Sequence, residues 1–350
     1  MTALASLRWR RRKRLQTEDI AQFARQLTTL LQAGLPLLQA LRLMARGLSP
    51  GPMHQLLHRL GHAIESGHSL SQALRLQAGF DPIFCNLVAA GESSGQLDTM
   101  LARLAAHLDK SLALQRRLRS ALVYPAAVLA IGGGVALLLL IWVVPAFEGI
   151  FQTLGAPLPW LTQAVLDISR LLQQRGWVWI VGAICLAWLL RRGRRTAVGQ
   201  RAWDRQRLRW PIWGPLTRHA EAARWCRTLA TLLSAGLAIH EALDSTRDVL
   251  SHGAYRRASH HIRLQLTQGR ALSDSLAQHP QLFEPLLVQL CAVGEESGTL
   301  DTMLARMADH HEQQVDLLVS RLATLLEPAI MLVLGVMLGT LVMAMYWPMF

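Results

Sequence analysis

The sequence predicts an all-α protein in which one bundle of about six helices is used twice and three further helices cross a membrane. Three observations predict it: leucine stripes at helical spacing, a duplication offset by about 203 residues, and three uncharged apolar stretches in a charged chain. No run of β-type alternation stands against them.

Apolar residues make up 51% of the 350, yet the net charge is +13. Both hold because charge and apolar residues are segregated along the chain. Residues 1–120 carry 16 Lys+Arg against 7 Asp+Glu, and residues 191–322 carry 18 against 13. Residues 148–175 are balanced at 2 against 2. Between these blocks, residues 120–147, 176–190 and 328–350 hold no charge over 28, 15 and 23 residues. A bilayer core of about 30 Å needs roughly 20 helical residues, which the first and third satisfy. The second is short and needs Gln173, Gln174 and snorkelling of Arg175 and Arg191 to span. Trp177, Trp179 and Trp188 lie near its ends, where interfacial aromatics belong.

From the N-terminus, Arg8, Arg10, Arg11, Arg12, Lys13 and Arg14 form a basic tail over 1–16. No apolar run follows it, so a cleaved signal is not expected. It reads as a cytosolic tail near anionic lipid or as a solubilising end. A first helical domain over 17–119 begins with the stripe Phe23, Leu27, Leu30 and Leu31. Ala33-Gly34-Leu35-Pro36 ends that helix and starts another. Ser49-Pro50 and Asp81-Pro82 read as N-caps followed by an N1 proline, and Ser69 with Gln72 as a capping box. Gly91–Gly95 reads as a tight turn. The next helix carries Leu97, Met100, Leu101, Leu104 and Leu108 on one face and runs past Arg116 into the span 120–147.

An external loop over 148–175, a short span over 176–190 and a basic linker over 191–210 follow. The second domain, 211–322, and a third span, 323–347, complete the chain. This half repeats the first. Gly91 through Arg103 agrees with Gly294 through Arg306 at 11 of 13 positions, and Leu27–Leu35 matches Leu229–Leu237 at offset 202. Trp225, Leu229, Leu232 and Leu233 restate the first stripe, and Pro125 and Pro145 match Pro328 and Pro348. Register kept over more than a hundred residues marks a true duplication.

Duplication also dictates topology. Copies that fold alike in one compartment each hand over to a membrane helix in the same direction, so one return crossing must lie between them. Residues 176–190 supply it. Eight arginines within 191–209 follow that span, whereas 148–175 is neutral, which places both helical domains in the cytoplasm and the C-terminus outside. The copies differ in charge, +9 over 1–120 against +5 over 191–322, as expected of copies diverged to meet different partners.

Catalytic chemistry is hard to assemble from this sequence. Lys13 and Lys110 are the only lysines and neither follows a glycine, so no phosphate-binding loop is present and ATP hydrolysis is not expected. Cys85, Cys185, Cys226 and Cys291 show no paired spacing and read as reduced packing residues. His54, His58 and His62 share one helix face, a spacing that suits a cation, but a solvated stripe without an acidic partner explains them and no metal is expected. His310-His311-Glu312 point in different directions. Glu92 and Glu295, equivalent in the two copies, suit either a partner contact or helix capping. Glu327, at the threshold of the third span, reads as interfacial. Gly132 with Ala136, and Gly335 with Gly339, form small-residue faces open to packing within the chain or between copies of it. The arginine run 191–209 fits lipid and topology better than direct nucleic-acid binding. No cofactor and no enzymatic activity are expected.

A repeated L-x-x-L-L-x-A/S-G-L-x-x-x-x-A-L element and G-E-x-S-G-x-L-D, at Gly91, Glu92, Gly95, Leu97 and Asp98 and again at Gly294, Glu295, Gly298, Leu300 and Asp301, carry a resemblance. So do Ala121-Leu122-Val123-Tyr124-Pro125 and the Pro211–Leu216 run. The chain resembles the type II secretion system F family, which includes type IV pilus platform proteins, from about residue 20 to 350. The resemblance implies an inner-membrane platform of a bacterial secretion, pilus or DNA-uptake machine, with 148–175 in the periplasm. Its implied partners are a hexameric assembly ATPase, pilin or pseudopilin subunits, other inner-membrane assembly proteins, membrane lipid and further copies of the chain. A transporter or channel subunit is the competing class, because duplicated membrane chains also alternate between states.

Overall fold

A computed structural model describes residues 15, 17–77, 79–147, 160–193, 210 and 213–346. The basic tail, most of the 191–209 arginine run, Pro211-Ile212 and Pro348 lie outside the described residues. No strand occurs among the described residues, whose fold is all-α. It divides into two compact units, one built from the ranges 1–115 and 207–315 and the other from 116–206 and 316–350.

The first unit holds both copies. The first copy runs α1 (Thr17–Gln32), α2 (Leu37–Arg46), α3 (Pro52–Glu65), α4 (Leu70–Arg75), α5 (Pro82–Ser94) and the beginning of α6 (Leu97–Leu138). After α7 (Trp160–Gly193), the second copy runs α8 (Trp213–Ser234), α9 (Ile239–Val249), α10 (Gly253–Thr267), α11 (Leu272–Ala277), α12 (Pro285–Ser297) and the beginning of α13 (Leu300–Tyr346).

The leucine stripes become buried faces. Phe23 and Leu27 of α1 and Trp225, Leu229 and Leu232 of α8 are fully enclosed, while Leu30, Leu31 and Leu233 sit half-buried at the rim. Each copy centres on an aromatic cluster. Phe80 packs against Phe23 and Phe84 at ring distances of 5.9 and 4.8 Å. Its counterpart Phe283 packs against Trp225 and Tyr255 at 5.0 and 5.6 Å. These two centres belong to one continuous apolar core that runs through both copies.

Local signals fix the helix ends. Gly34 and Gly236 both take φ of 81°, and the N–H of each following leucine, Leu35 and Leu237, bonds back to the carbonyls of Leu30 and Leu232. That is the left-handed closure only glycine makes cheaply. Ser69 caps α4 in a capping box with Gln72. Ser49-Pro50 does not start a helix: Gly51 is the N-cap of α3 and Pro52 occupies its first turn. Asp81 stands at the N-cap of α5 without a side-chain bond.

In the second unit, α6 continues past Pro125 to Leu138 and widens into a π turn over Leu139–Val143. Widening frees carbonyls that an α-helix would bond internally. Side chains of α7 take them: Ser169 donates to the Leu140 carbonyl at 2.5 Å and Gln173 to that of Ile141 at 2.7 Å. Thr162 donates to the Ala344 carbonyl at 2.7 Å, tying α7 to α13. Ala136, Val144, Val165, Leu166, Leu341 and Ala344 form this unit's core.

Among the described residues, two helical segments here are long and apolar enough to cross a membrane: Val123–Phe147, and the apolar part of Leu300–Tyr346. Ile131, Trp142, Leu332 and Val336 stand outward on them, as lipid-facing residues do. Residues 160–175, expected as loop, are helical, so 176–190 forms part of the longer α7.

Candidate functional site

The G-E-x-S-G-x-L-D element occupies the end of α5 and the start of α6, and again the end of α12 and the start of α13. Gly91–Ser94 is helical rather than a turn, and the reversal falls on Gly95, with φ of 68°. Gly298 repeats it at 69°. The N–H groups of Gln96 and Thr299 bond back to the carbonyls of Gly91 and Gly294 at 3.0 and 2.9 Å.

Gly91 and Gly294 have a steric role. A Cβ on Gly91 would stand 3.0 Å from Leu97 Cα and from Met100 Cβ, and one on Gly294 would stand 2.9 Å from Leu300 Cα. Consecutive helices therefore touch through backbone. Leu97 and Leu300 pack half-buried against the core, and Asp98 and Asp301 fall in the first turns of α6 and α13, where a carboxylate suits the helix dipole.

Glu92 and Glu295 each reach back to another helix. Glu92 accepts from the N–H groups of Leu70 at 2.5 Å and Ser71 at 3.1 Å. Glu295 accepts from those of Leu272 at 2.5 Å and Ser273 at 3.0 Å, and from the Ser273 hydroxyl at 2.8 Å. Each carboxylate thus neutralises the unpaired donors that open a six-residue helix. Of the two accounts the sequence allows for these glutamates, the contacts are those of capping, each on a helix more than twenty residues back in the chain.

Across the seam between copies, Asn86 donates to Ser245 Oγ at 2.8 Å while accepting from Arg75 at 3.1 Å. Arg103 of the first copy donates to the Ser234 carbonyl of the second. Lys110 bonds Asp309 at 2.9 Å, and Arg227 bonds both Asp309 and Glu312. Burial alone raises the Asp309 pKa, but the two cationic donors hold it below the usual carboxylate value. His107 is buried near Thr231, its Nδ1 3.4 Å from the hydroxyl. Burial, and then the Arg227 charge, push its pKa down to about 4.

His54, His58 and His62 line a surface cleft of about 630 Å³ with Arg42, Arg46, Arg59 and Glu65. Glu65 is engaged by Arg42, 2.5 Å away. The three histidines do not converge as ligands. A different set does: His219, Glu284 and His311 bring their ligand atoms within 4.8 Å of one another. His311 does so without its neighbours His310 and Glu312, which as consecutive helical residues point elsewhere, and with partners far along the chain. Within the second unit, a Cβ on Gly132 would meet the Leu334 side chain at 2.6 Å, whereas Gly335 and Gly339 face open space. Ala136 is buried against the core. Glu327 is exposed.

Two helical copies closed on one core, continuing into apolar helices long enough to cross a membrane, define the class as an all-α protein with a duplicated bundle and candidate membrane spans. The family model described as type II secretion system (T2SS), protein F, matches residues 23–145 and again 225–348, and the chain belongs to that family. It is 43% identical to the type 4 fimbrial assembly protein PilC of Pseudomonas putida, over 98% of this chain and 86% of the relative. It is 40% identical to the type IV pilus assembly protein PilC of Thermus thermophilus, over 95% and 82%. The type II secretion system protein F of Xanthomonas campestris is 36% identical over 97% and 84%.

Proposed function

We propose that this chain is the bacterial inner-membrane platform of a type IV pilus or type II secretion machine, coupling a cytoplasmic assembly ATPase to addition of pilin or pseudopilin subunits. The single observation that carries this reading is the duplicated unit closed on one core, in a chain whose relatives carry pilus-assembly and secretion names over nearly its whole length. The platform acts through surfaces and not by catalysis. It crosses the membrane three times, with 176–190 as the return crossing, the N-terminus cytoplasmic and the C-terminus periplasmic. Other inner-membrane assembly proteins, membrane lipid and further copies of the chain complete its partners; direct contact with nucleic acid is not part of the role. Charge asymmetry around 176–190 supports that topology.

The test is co-purification of the full chain, in detergent, with the assembly ATPase encoded by the same bacterium. Stable association that is lost when surface residues of the duplicated unit are changed supports the platform. No association in detergent or in membranes, together with normal piliation and secretion in a deletion strain, sinks it.

A further inference from the structure

His219 lies on α8, Glu284 at the N-cap of α12 and His311 on α13. The Nδ1 atoms of the two imidazoles stand 3.0 Å apart, and Glu284 Oε1 lies 3.7 Å from His219 Nδ1. Between two neutral imidazoles at that distance only one proton can sit, and a second would turn one ring into a cation and set two N–H groups against each other. His311 is 1% exposed, and its Nε2 is buried with no hydrogen-bond partner among the described residues. Burial pushes the His311 pKa down to about 4, with His219 and His310 adding to the effect. His219 is also lowered by burial, with Glu284 opposing and His310 and Arg218 reinforcing. Each lowering favours the neutral imidazole, the form that binds metal.

The duplication supplies an internal control. Counterparts of His219, Glu284 and His311 in the first copy are Thr17, Asp81 and Leu108, at offsets 202, 203 and 203. The same bundle thus forms there without either histidine. The fold does not require two imidazoles here, yet the second copy places them in contact beside a carboxylate.

We infer that His219, Glu284 and His311 form a binding site for a divalent transition-metal ion of the zinc class, clipping α8, α12 and α13 together in the second copy. Two neutral imidazoles and one carboxylate are a common zinc donor set, and the fourth position is left to solvent or to a partner's donor. Ligands about 2.0–2.1 Å from a tetrahedral ion stand roughly 3.3–3.5 Å apart. The 3.0 and 3.7 Å separations bracket that spacing, and all three ligand atoms already lie within 4.8 Å of one another, so binding needs the side chains to draw in around the ion without moving the helices. The ion would carry its charge near Arg218 and His310, with Glu284 as the compensating anion. The inference does not depend on the platform role.

The test uses the full chain in detergent, stripped with a chelator and titrated with Zn²⁺ alone, and separately with Co²⁺ as a spectroscopic probe. One tight ion per chain, a tetrahedral cobalt band and a raised Tm are expected. The variants carry the first copy's residues, His219→Thr and His311→Leu, which the duplicated fold already accommodates. Each is expected to lower affinity at least about 10-fold, the scale of losing even an outer-shell partner. His54→Ala with His58→Ala is expected to leave the tight ion in place. Wild-type chain without a cobalt band and without a Zn²⁺-dependent Tm shift overturns the inference, whatever the variants do. So does tight binding that survives His219→Thr with His311→Leu, or that disappears with His54→Ala and His58→Ala.

Discussion

Asn86 of the first copy donates a 2.8 Å hydrogen bond to Ser245 of the second, and Arg75 holds the other end of the Asn86 amide at 3.1 Å. The bond is part-buried and links α5 to α9. Asn86→Ala is expected to cost about 1 kcal/mol of stability. Ser245→Ala in that background adds little beyond it, so a double-mutant cycle read by denaturant unfolding shows coupling. Strict additivity would remove the bond from the account of the seam.

Glu92 and Glu295 each close the start of a short helix, and both charge and acceptor geometry matter. Glu92→Gln is expected to lose about 1 kcal/mol, and Glu92→Ala about 2 kcal/mol. Glu295→Ala should match or exceed the latter, since Glu295 also holds the Ser273 hydroxyl. Thermal melting of the full chain ranks the three. Equal stability of wild type and Glu92→Ala would contradict the capping role.

Gly91→Ala and Gly294→Ala push a methyl against backbone atoms of Leu97 and Leu300, at 3.0 and 2.9 Å. Backbone at a helix start cannot step aside cheaply, so a loss of about 1–3 kcal/mol is expected for each. Gly133→Ala, which meets nothing within 4 Å and sits in a helix, serves as the clash-free control and should cost no stability.

The small-residue faces separate two kinds of packing. Gly132→Leu collides with Leu334 and is expected to lower the Tm of the detergent-solubilised chain. Gly335→Leu enters open space and should leave that Tm unchanged. If the Gly335 face meets a second copy, cross-linking in native membranes will fall in Gly335→Leu alone.

His107 gives the duplicated unit a pH dependence of definite sign. Folded, it titrates at about 4, whereas the unfolded chain titrates at its ordinary 6.5. The unfolded chain binds the extra proton between those values, so the contribution is complete above pH 6.5 and is lost as pH falls towards 4. The effect is on the order of 3 kcal/mol at most. His311 contributes in the same direction. Urea midpoints measured in chelator from pH 7 to 4 should fall less steeply in His107→Leu.

Features written within a few residues of each other were legible in the sequence. The Gly34 and Gly236 breaks, the Ser69 capping box and the duplicated stripes depend on local spacing, and the structure shows each of them. Ser49-Pro50 misled because a second proline two residues on, after Gly51, sets the helix start instead. Gly91 misled because a helical glycine chosen for close packing looks, in sequence, like a turn glycine chosen for its φ. The targets of Glu92, 22 and 21 residues back, and the approach of His219 to His311 across 92 residues are set by tertiary packing. No periodicity reports those. Aligning the copies and asking where they differ in ligand-type residues would have exposed His219 and His311 against Thr17 and Leu108.

The apolar core running through both copies changes what the duplication means for the protein. Two separate bundles would melt in two steps, and either could be damaged while its twin endured. A common interior removes that insurance: withdrawing one half uncovers the greasy flank of the other, so the pair should unfold in a single cooperative transition. Repetition of the sequence has produced interdependence and not a spare part.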